Sequence, residues 1–240
     1  NLILGFIIVA IILSPTDRFA TTTIAEFTEN SVSSQKLQVD DKILEVDGRK
    51  IFTTYDLSYS FTNVKDGKID IEVLRNDKKV LLKDVAFSSS KEQGITFLEV
   101  DFRVYGQRKT FVSFIKETVK TSISYCAVIW RSLIDLISGK YGISAVSGPV
   151  GTAVAIGDAA KQSLMNILPI MALITINLGI FNLLPFPALD GGRLVFILFE
   201  MITRKPVPQK YESVVHAIGF VILIGFMLLI TAKDIWGLIF

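Results

Sequence analysis

The residues of this 240-residue chain best suited to chemistry stand together: Asn182-Leu183-Leu184-Pro185-Phe186-Pro187-Ala188-Leu189-Asp190-Gly191-Gly192-Arg193. Two prolines one residue apart deny regular helix, because each lacks an N–H and pushes its predecessor toward extended backbone. Gly191 and Gly192 then free the chain to turn sharply. The pattern predicts a carboxylate, Asp190, on non-helical backbone at the end of an apolar helix. Irregular backbone at membrane depth survives only inside protein or along an aqueous cavity. An ionised aspartate there needs a metal or a cation. The plain alternative is a turn in water, with Pro-x-Pro and Asp-Gly-Gly-Arg as ordinary loop residues. Asn182 and Asn177 are amides on the same helix, and helix–helix hydrogen bonding explains either one adequately.

Other reactive side chains are scarce. One cysteine, Cys126, rules out an internal disulfide and a cysteine-rich zinc module; it reads as a small packing residue. One histidine, His216, has no histidine four residues away and reads as an interfacial residue of an apolar run. A net charge of +2, without an arginine-rich stripe, argues against a nucleic-acid partner.

Half of the residues are apolar and the mean hydropathy is +0.51. They gather in blocks with the charges between them, as in a membrane protein with an aqueous domain. Leu2–Leu13 is too short to span a ~30 Å hydrocarbon core. The Ser14-Pro15-Thr16-Asp17-Arg18 that follows is no signal-peptide cleavage site. Residues 1–14 are therefore expected to be the remainder of a transmembrane helix that starts before Asn1. Residues 163–184 carry no charge and at ~1.5 Å per residue reach about 33 Å, enough to span, with a kink expected at Pro169. Residues 194–202 are apolar but short and broken by Glu200. Residues 214–232 form a second span interrupted only by His216, with 235–240 at the far interface and Trp236 as a belt residue. Arg193, Arg204, Lys205 and Lys210 place the loop 193–210 in the cytoplasm by the positive-inside rule, and the segment before the first span outside.

Residues 20–105 read as a compact β-domain. Thr22 to Phe27 alternates, and Ile69, Ile71 and Val73 alternate with Asp70 and Glu72. Asp47-Gly48 is a type I′ hairpin pair and Asn76-Asp77 a second turn. Leu57, Ser60 and Phe61 give helical spacing within 55–63. Across 111–138, Phe111, Ile115, Val119, Ser122, Cys126, Ile129, Leu133 and Leu136 recur every three or four positions. That is an amphipathic helix, lying either on a membrane surface or against the β-domain. Residues 106–162 also hold Ser147-Gly148-Pro149 and small residues to Ala160, a linker or short helix. The fold class is a polytopic α-helical membrane protein with an extracytoplasmic β-domain, α+β overall; its membrane domain covers 163–240.

The run Asn182 to Gly192, Asn-x-x-Pro-x-Pro-x-Leu-Asp-Gly-Gly, resembles the second signature of the site-2 protease family, with every specified position filled. Residues 20–90, including the run Asp40 to Gly48, resemble a PDZ domain of the permuted bacterial type, departing at Lys36 and Asp40 where such domains usually carry glycine. Ser147-Gly148-Pro149 and the last two spans extend the likeness over nearly the whole chain. The resemblance implies an intramembrane zinc metalloendopeptidase acting in regulated intramembrane proteolysis, with zinc as cofactor. Its partners would be transmembrane protein substrates and the lipid bilayer. Asp190 would be the third zinc ligand, with Asn182, Pro185 and Pro187 holding the substrate strand, and zinc would polarise the scissile carbonyl and activate its bound water. The PDZ-like domain would gate the outer part of the substrate. The family's other signature, His-Glu-x-x-His, does not occur in these residues. A site that needs three protein ligands cannot rest on one aspartate. The chain as written therefore holds no catalytic residue of its own and is expected to be inactive alone, the histidine helix lying upstream. Two competing readings remain: a non-catalytic membrane-anchored PDZ adaptor or pseudoprotease, and a small transporter, which would require repeated broken helices.

Overall fold

Alternating apolar residues and two left-handed turns build the sheet that anchors the first part of the chain. The structure is a computed structural model. It describes every residue except Asn63, Lys65, Asp66, Gln93, Gly94, Tyr141, Ile143, Ser144, Ala145 and Phe240, and only the backbone of Glu92 and Ile95. The ends of the expected segments 55–63 and 235–240 thus lie outside the described residues. Two compact units emerge: Val9–Ile134, and Asn1–Ile8 together with Asp135–Phe240.

In the first unit the strands are β1 (Arg18–Phe27), β2 (Lys42–Val46), β3 (Arg49–Lys50), β4 (Lys68–Arg75), β5 (Lys78–Ala86), β6 (Ser89–Glu92), β7 (Ile95–Leu98) and β8 (Phe102–Arg108). One antiparallel sheet runs β5-β4-β2-β1-β8, with β3 beside β2; β6 and β7 pair separately. Val46 faces Arg49 across Asp47 and Gly48, whose φ angles of 47° and 71° are those of the expected type I′ turn. Arg75 faces Lys78 across Asn76 (φ 49°) and Asp77 (φ 58°) in the same way. The alternation of β4 buries Ile69, Ile71 and Val73 against Ile24, Ile43, Val46 and Val85, with Phe61, Phe87 and Phe102 filling the end of the core.

The segment before β2 is locked by charge. Asp41 is fully buried and receives two Arg75 hydrogen bonds of 2.7 Å and the Gln38 N–H at 2.8 Å. Asp40 adopts φ 71°, a conformation that glycine would take without strain. The Lys36 ammonium bonds the carbonyls of Lys83 and Asp84 at 2.6 and 2.9 Å, tying this loop to β5.

Helices α1 (Leu2–Leu13), α2 (Thr54–Ser60) and α3 (Phe111–Ile137) follow the expected periods. A capping box of Thr53 and Asp56 starts α2. The buried Asp56 carboxylate also accepts the Phe52 N–H at 3.0 Å and the Ser124 hydroxyl of α3 at 2.7 Å. Arg131 of α3 stands 3.6 Å from Asp56 and donates to the Lys50 carbonyl. Tyr55 stacks on Tyr125, ring centroids 4.6 Å apart. So α3 packs on the β-unit, and the expected stripe divides along its length. Ser122 and Ile129 of the stripe are buried, with Ser124, Tyr125 and Val128 beside them, whereas Phe111, Ile115 and Val119 are exposed. Periodicity located the stripe; partners on α2 and its cap decided how much of it turned inward.

The second unit holds α4 (Pro149–Gln162), a 3₁₀ turn (Leu164–Asn166), α5 (Ile167–Asn182), α6 (Asp190–Thr203) and α7 (Gln209–Ile239). Among the described residues two stretches, Leu164–Asn182 and Gln209–Ile239, are long and apolar enough to cross a membrane. Leu2 and Gly5 of α1 meet Gly179 and Ile176 of α5, where small residues let backbones approach.

Pro169 lies in the first turn of α5, where its missing N–H costs no helical bond. Three expectations shift here. Residues 194–202 belong to a 14-residue helix, and Glu200 does not break it: its carboxylate accepts the Val207 N–H at 2.7 Å and ties down the following loop. The connection expected as 193–210 shrinks to 204–208, with Arg193 on α6 and Lys210 on α7. The last helix also outruns 214–232, continuing through Lys233 and Asp234. Asp234 accepts the Gly148 and Gly151 N–H groups at 2.8 Å, so its charge caps α4, the short helix that follows Ser147-Gly148.

Candidate active site

Helix α5 ends at Asn182, and the backbone of 183–189 closes on itself through short turns: the Phe186 N–H reaches the Leu184 carbonyl at 2.7 Å and the Leu189 N–H reaches Phe186 at 3.1 Å. The two prolines break the helix as their chemistry requires. Asp190, however, does not sit on irregular backbone. It is the first residue of α6, after an extended Leu189. Free N–H groups and the helix dipole favour a carboxylate at that position. The glycines also differ from expectation. Both are helical and buried, and a Cβ would lie 2.3 Å from the Leu184 carbonyl at Gly191 and 2.3 Å from the Phe186 carbonyl at Gly192. They permit close packing of the broken segment on α6, not a sharp turn. The left-handed residue is Ala188, at φ 76°, a conformation costing a non-glycine residue about 1–2 kcal/mol.

Helix α7 supplies the support that sequence reading missed. His216 Nδ1 accepts the Ala188 N–H at 2.9 Å, which places the ring proton on Nε2. His216 Nε2 is itself buried, with no partner among the described residues. One turn on, Gly219 lies so close to Pro187 that a Cβ would fall 2.5 Å from both its Cβ and its carbonyl oxygen. The histidine expected to be a bland interfacial residue thus holds the strained alanine two positions before Asp190. A lone histidine inside an otherwise uncharged span was the available signal.

The pieces meet around a concavity of about 450 Å³, lined among others by Leu189, Asp190, Arg193, Glu212, His216 and Phe220. Arg193 and Glu212 approach to 3.9 Å. Asp190 and Pro185 are exposed, Asn182 and Pro187 half-buried, and Asn177 exposed on α5. Among the described residues no group of three histidine, cysteine, aspartate or glutamate side chains could hold a metal ion. A catalytic zinc takes three protein ligands, so these residues do not make a complete zinc site. Asp190 and Glu212 are the carboxylates at the concavity, and Glu212 stands against Arg193.

An apolar helix broken at Asn-x-x-Pro-x-Pro, a carboxylate opening the next helix, two helices long enough to span a membrane and a separate antiparallel domain define a helical membrane protein with an associated β-domain. Residues 1–226 match peptidase family M50, and the chain belongs to that family. It is 33% identical over 231 residues to a provisionally named zinc metalloprotease of Clostridium perfringens, covering 95% of this chain and 68% of that protein. A similarly named protein of Fusobacterium nucleatum is 33% identical over 256 residues, covering 99% and 71%. The zinc metalloprotease RasP of Geobacillus kaustophilus is 32% identical over 233 residues, covering 96% and 54%.

Proposed function

We propose that this chain is the aspartate-bearing part of an intramembrane zinc metalloprotease of the site-2 type, cleaving transmembrane segments of other membrane proteins. The observation that carries the reading is Asp190 at the start of α6, presented directly after the broken segment in a chain of family M50. Asp190 would be one zinc ligand, completed by residues outside these 240. The exposed Pro185 and the half-buried Pro187 keep 183–189 out of helical geometry; an unwound substrate strand would lie beside this segment, and Asn182 would help align it. Residues 20–105 would be a PDZ-like extracytoplasmic domain, 106–162 a connecting region and 163–240 a membrane domain with the 204–208 loop in the cytoplasm.

The test measures zinc content and cleavage of a transmembrane substrate by the full-length protein. Asp190→Ala should lose both while still inserting into membranes. Asn182→Ala should keep zinc and lose turnover. Unchanged cleavage by Asp190→Ala refutes the ligand assignment. Absence of zinc and cleavage from the unmodified full-length protein favours a non-catalytic adaptor, a reading suggested by the lack of a three-residue ligand group among the described residues.

A further inference from the structure

Helix α3 exposes the wrong face for a helix in water. Val112, Ile115, Val119, Ile123, Trp130 and Ile134 recur at intervals of three, four or seven residues, and each is between 43% and 73% exposed. The same helix buries Ser113, Glu117 and Ser124 and commits Arg131 to Asp56. Water in contact with such a continuous apolar stripe is unfavourable, and stripes of this kind mark interaction surfaces.

Charge identifies what covers it. At the start of α3, a cavity of about 780 Å³ is lined by Arg18, Arg108 and Lys109 with Phe111, Phe114 and Asp17. Arg18 and Arg108 are directly opposed across β1 and the edge strand β8, a pairing that repels unless an anion lies between. Lys109 donates to the Ser14 carbonyl, where apolar α1 has just ended, and lies 5.1 Å over the Phe114 ring. Three cations against one carboxylate, placed where an apolar helix gives way to polar chain and an apolar stripe begins, match the layered chemistry of an anionic membrane. Phosphates sit at the cations and acyl chains beside the stripe.

We propose that this face of the β-unit docks on an anionic phospholipid bilayer. Phe111 to Ile134 of α3 lies along the acyl–headgroup boundary, and Arg18, Arg108 and Lys109 engage headgroup phosphates. The docking fixes the β-unit against the bilayer independently of any catalytic role.

The experiment places the whole chain in nanodiscs whose acyl chains are brominated. Trp130 is read in a Trp236→Phe background, with the difference between the parent and Trp130→Phe as a second route to the same signal. Trp130 should be quenched in discs containing an anionic lipid and much less in purely zwitterionic ones. Each of Arg18→Gln, Arg108→Gln and Lys109→Gln should weaken docking about fivefold, as expected for one basic side chain at a charged surface. Added inorganic phosphate should not substitute for anionic lipid. Trp130 that stays unquenched in every lipid shows the stripe covered by protein or water, and overturns the proposal. Quenching that ignores lipid charge and the glutamine substitutions overturns the headgroup assignment.

Discussion

Gly219→Ala tests whether α7 sets the geometry of the aspartate turn. The new Cβ would lie 2.5 Å from Pro187 Cβ and from the Pro187 carbonyl oxygen, against the 3.4 Å at which ordinary contact begins. About 0.9 Å must therefore be found, and the obstacle is backbone that the proline ring keeps from yielding. Helix propensity favours alanine by about 1 kcal/mol, while overpacking costs about 1–3 kcal/mol. The two nearly offset, so unfolding of the chain in detergent should change by no more than about 2 kcal/mol. Position is another matter. A shift of this size at Pro187 passes through Ala188 to Asp190, and a misplacement of about 1 Å can lower turnover about 100-fold. Gly225→Ala is the control, because nothing lies within 4 Å of its Cβ position; it should be as active as the parent and slightly more stable. The assay pairs unfolding with substrate cleavage by the full-length protein, and with hydrogen exchange at the Ala188 amide. A Gly219→Ala protein with parental cleavage and an equally protected Ala188 amide would refute the argument that α7 buttresses the turn.

The β-unit offers two further tests. Asp41→Ala leaves Arg75 without its two charge-assisted bonds and frees the loop before β2. It should destabilise the unit by about 3 kcal/mol in chemical unfolding, and a loss below about 0.5 kcal/mol would show the pair to be dispensable. Burial first, then the charges of Tyr125 and Asp56, push Tyr55 from its ordinary 10.0 up to about 12. Below pH 10 folded and unfolded chains both keep that proton. Between pH 10 and 12 only the unfolded chain releases it, so stability falls as pH rises, by about 3 kcal/mol across the window. Tyr55→Phe should flatten this alkaline slope, and an unchanged slope would contradict the account.

Much of the architecture was legible locally because its causes are local. Apolar alternation around Ile71, the left-handed pairs Asp47-Gly48 and Asn76-Asp77, and the charge-free run 163–184 each declare their own geometry within a few residues. The helix break at Pro185 and Pro187 is equally self-contained, since the missing N–H groups travel with the prolines. Composition and pattern thus settled a β-domain, apolar helices and the helix break before the candidate carboxylate.

What tertiary structure alone decided concerns groups far apart in sequence. Whether Gly191 and Gly192 serve conformation or closeness depends on the Leu184 and Phe186 carbonyls pressing on α6. That His216 supports Ala188 depends on α7 returning beside the turn, and that Asp234 serves as a cap depends on α4 beginning against it. The inward face of α3 was chosen by Asp56, 68 residues before its partner Ser124. Hydrophobic periodicity reports that a face is apolar, but a buried charge must find its partners wherever the chain brings them, and that requirement brought Ser124 and Arg131 of α3 to Asp56.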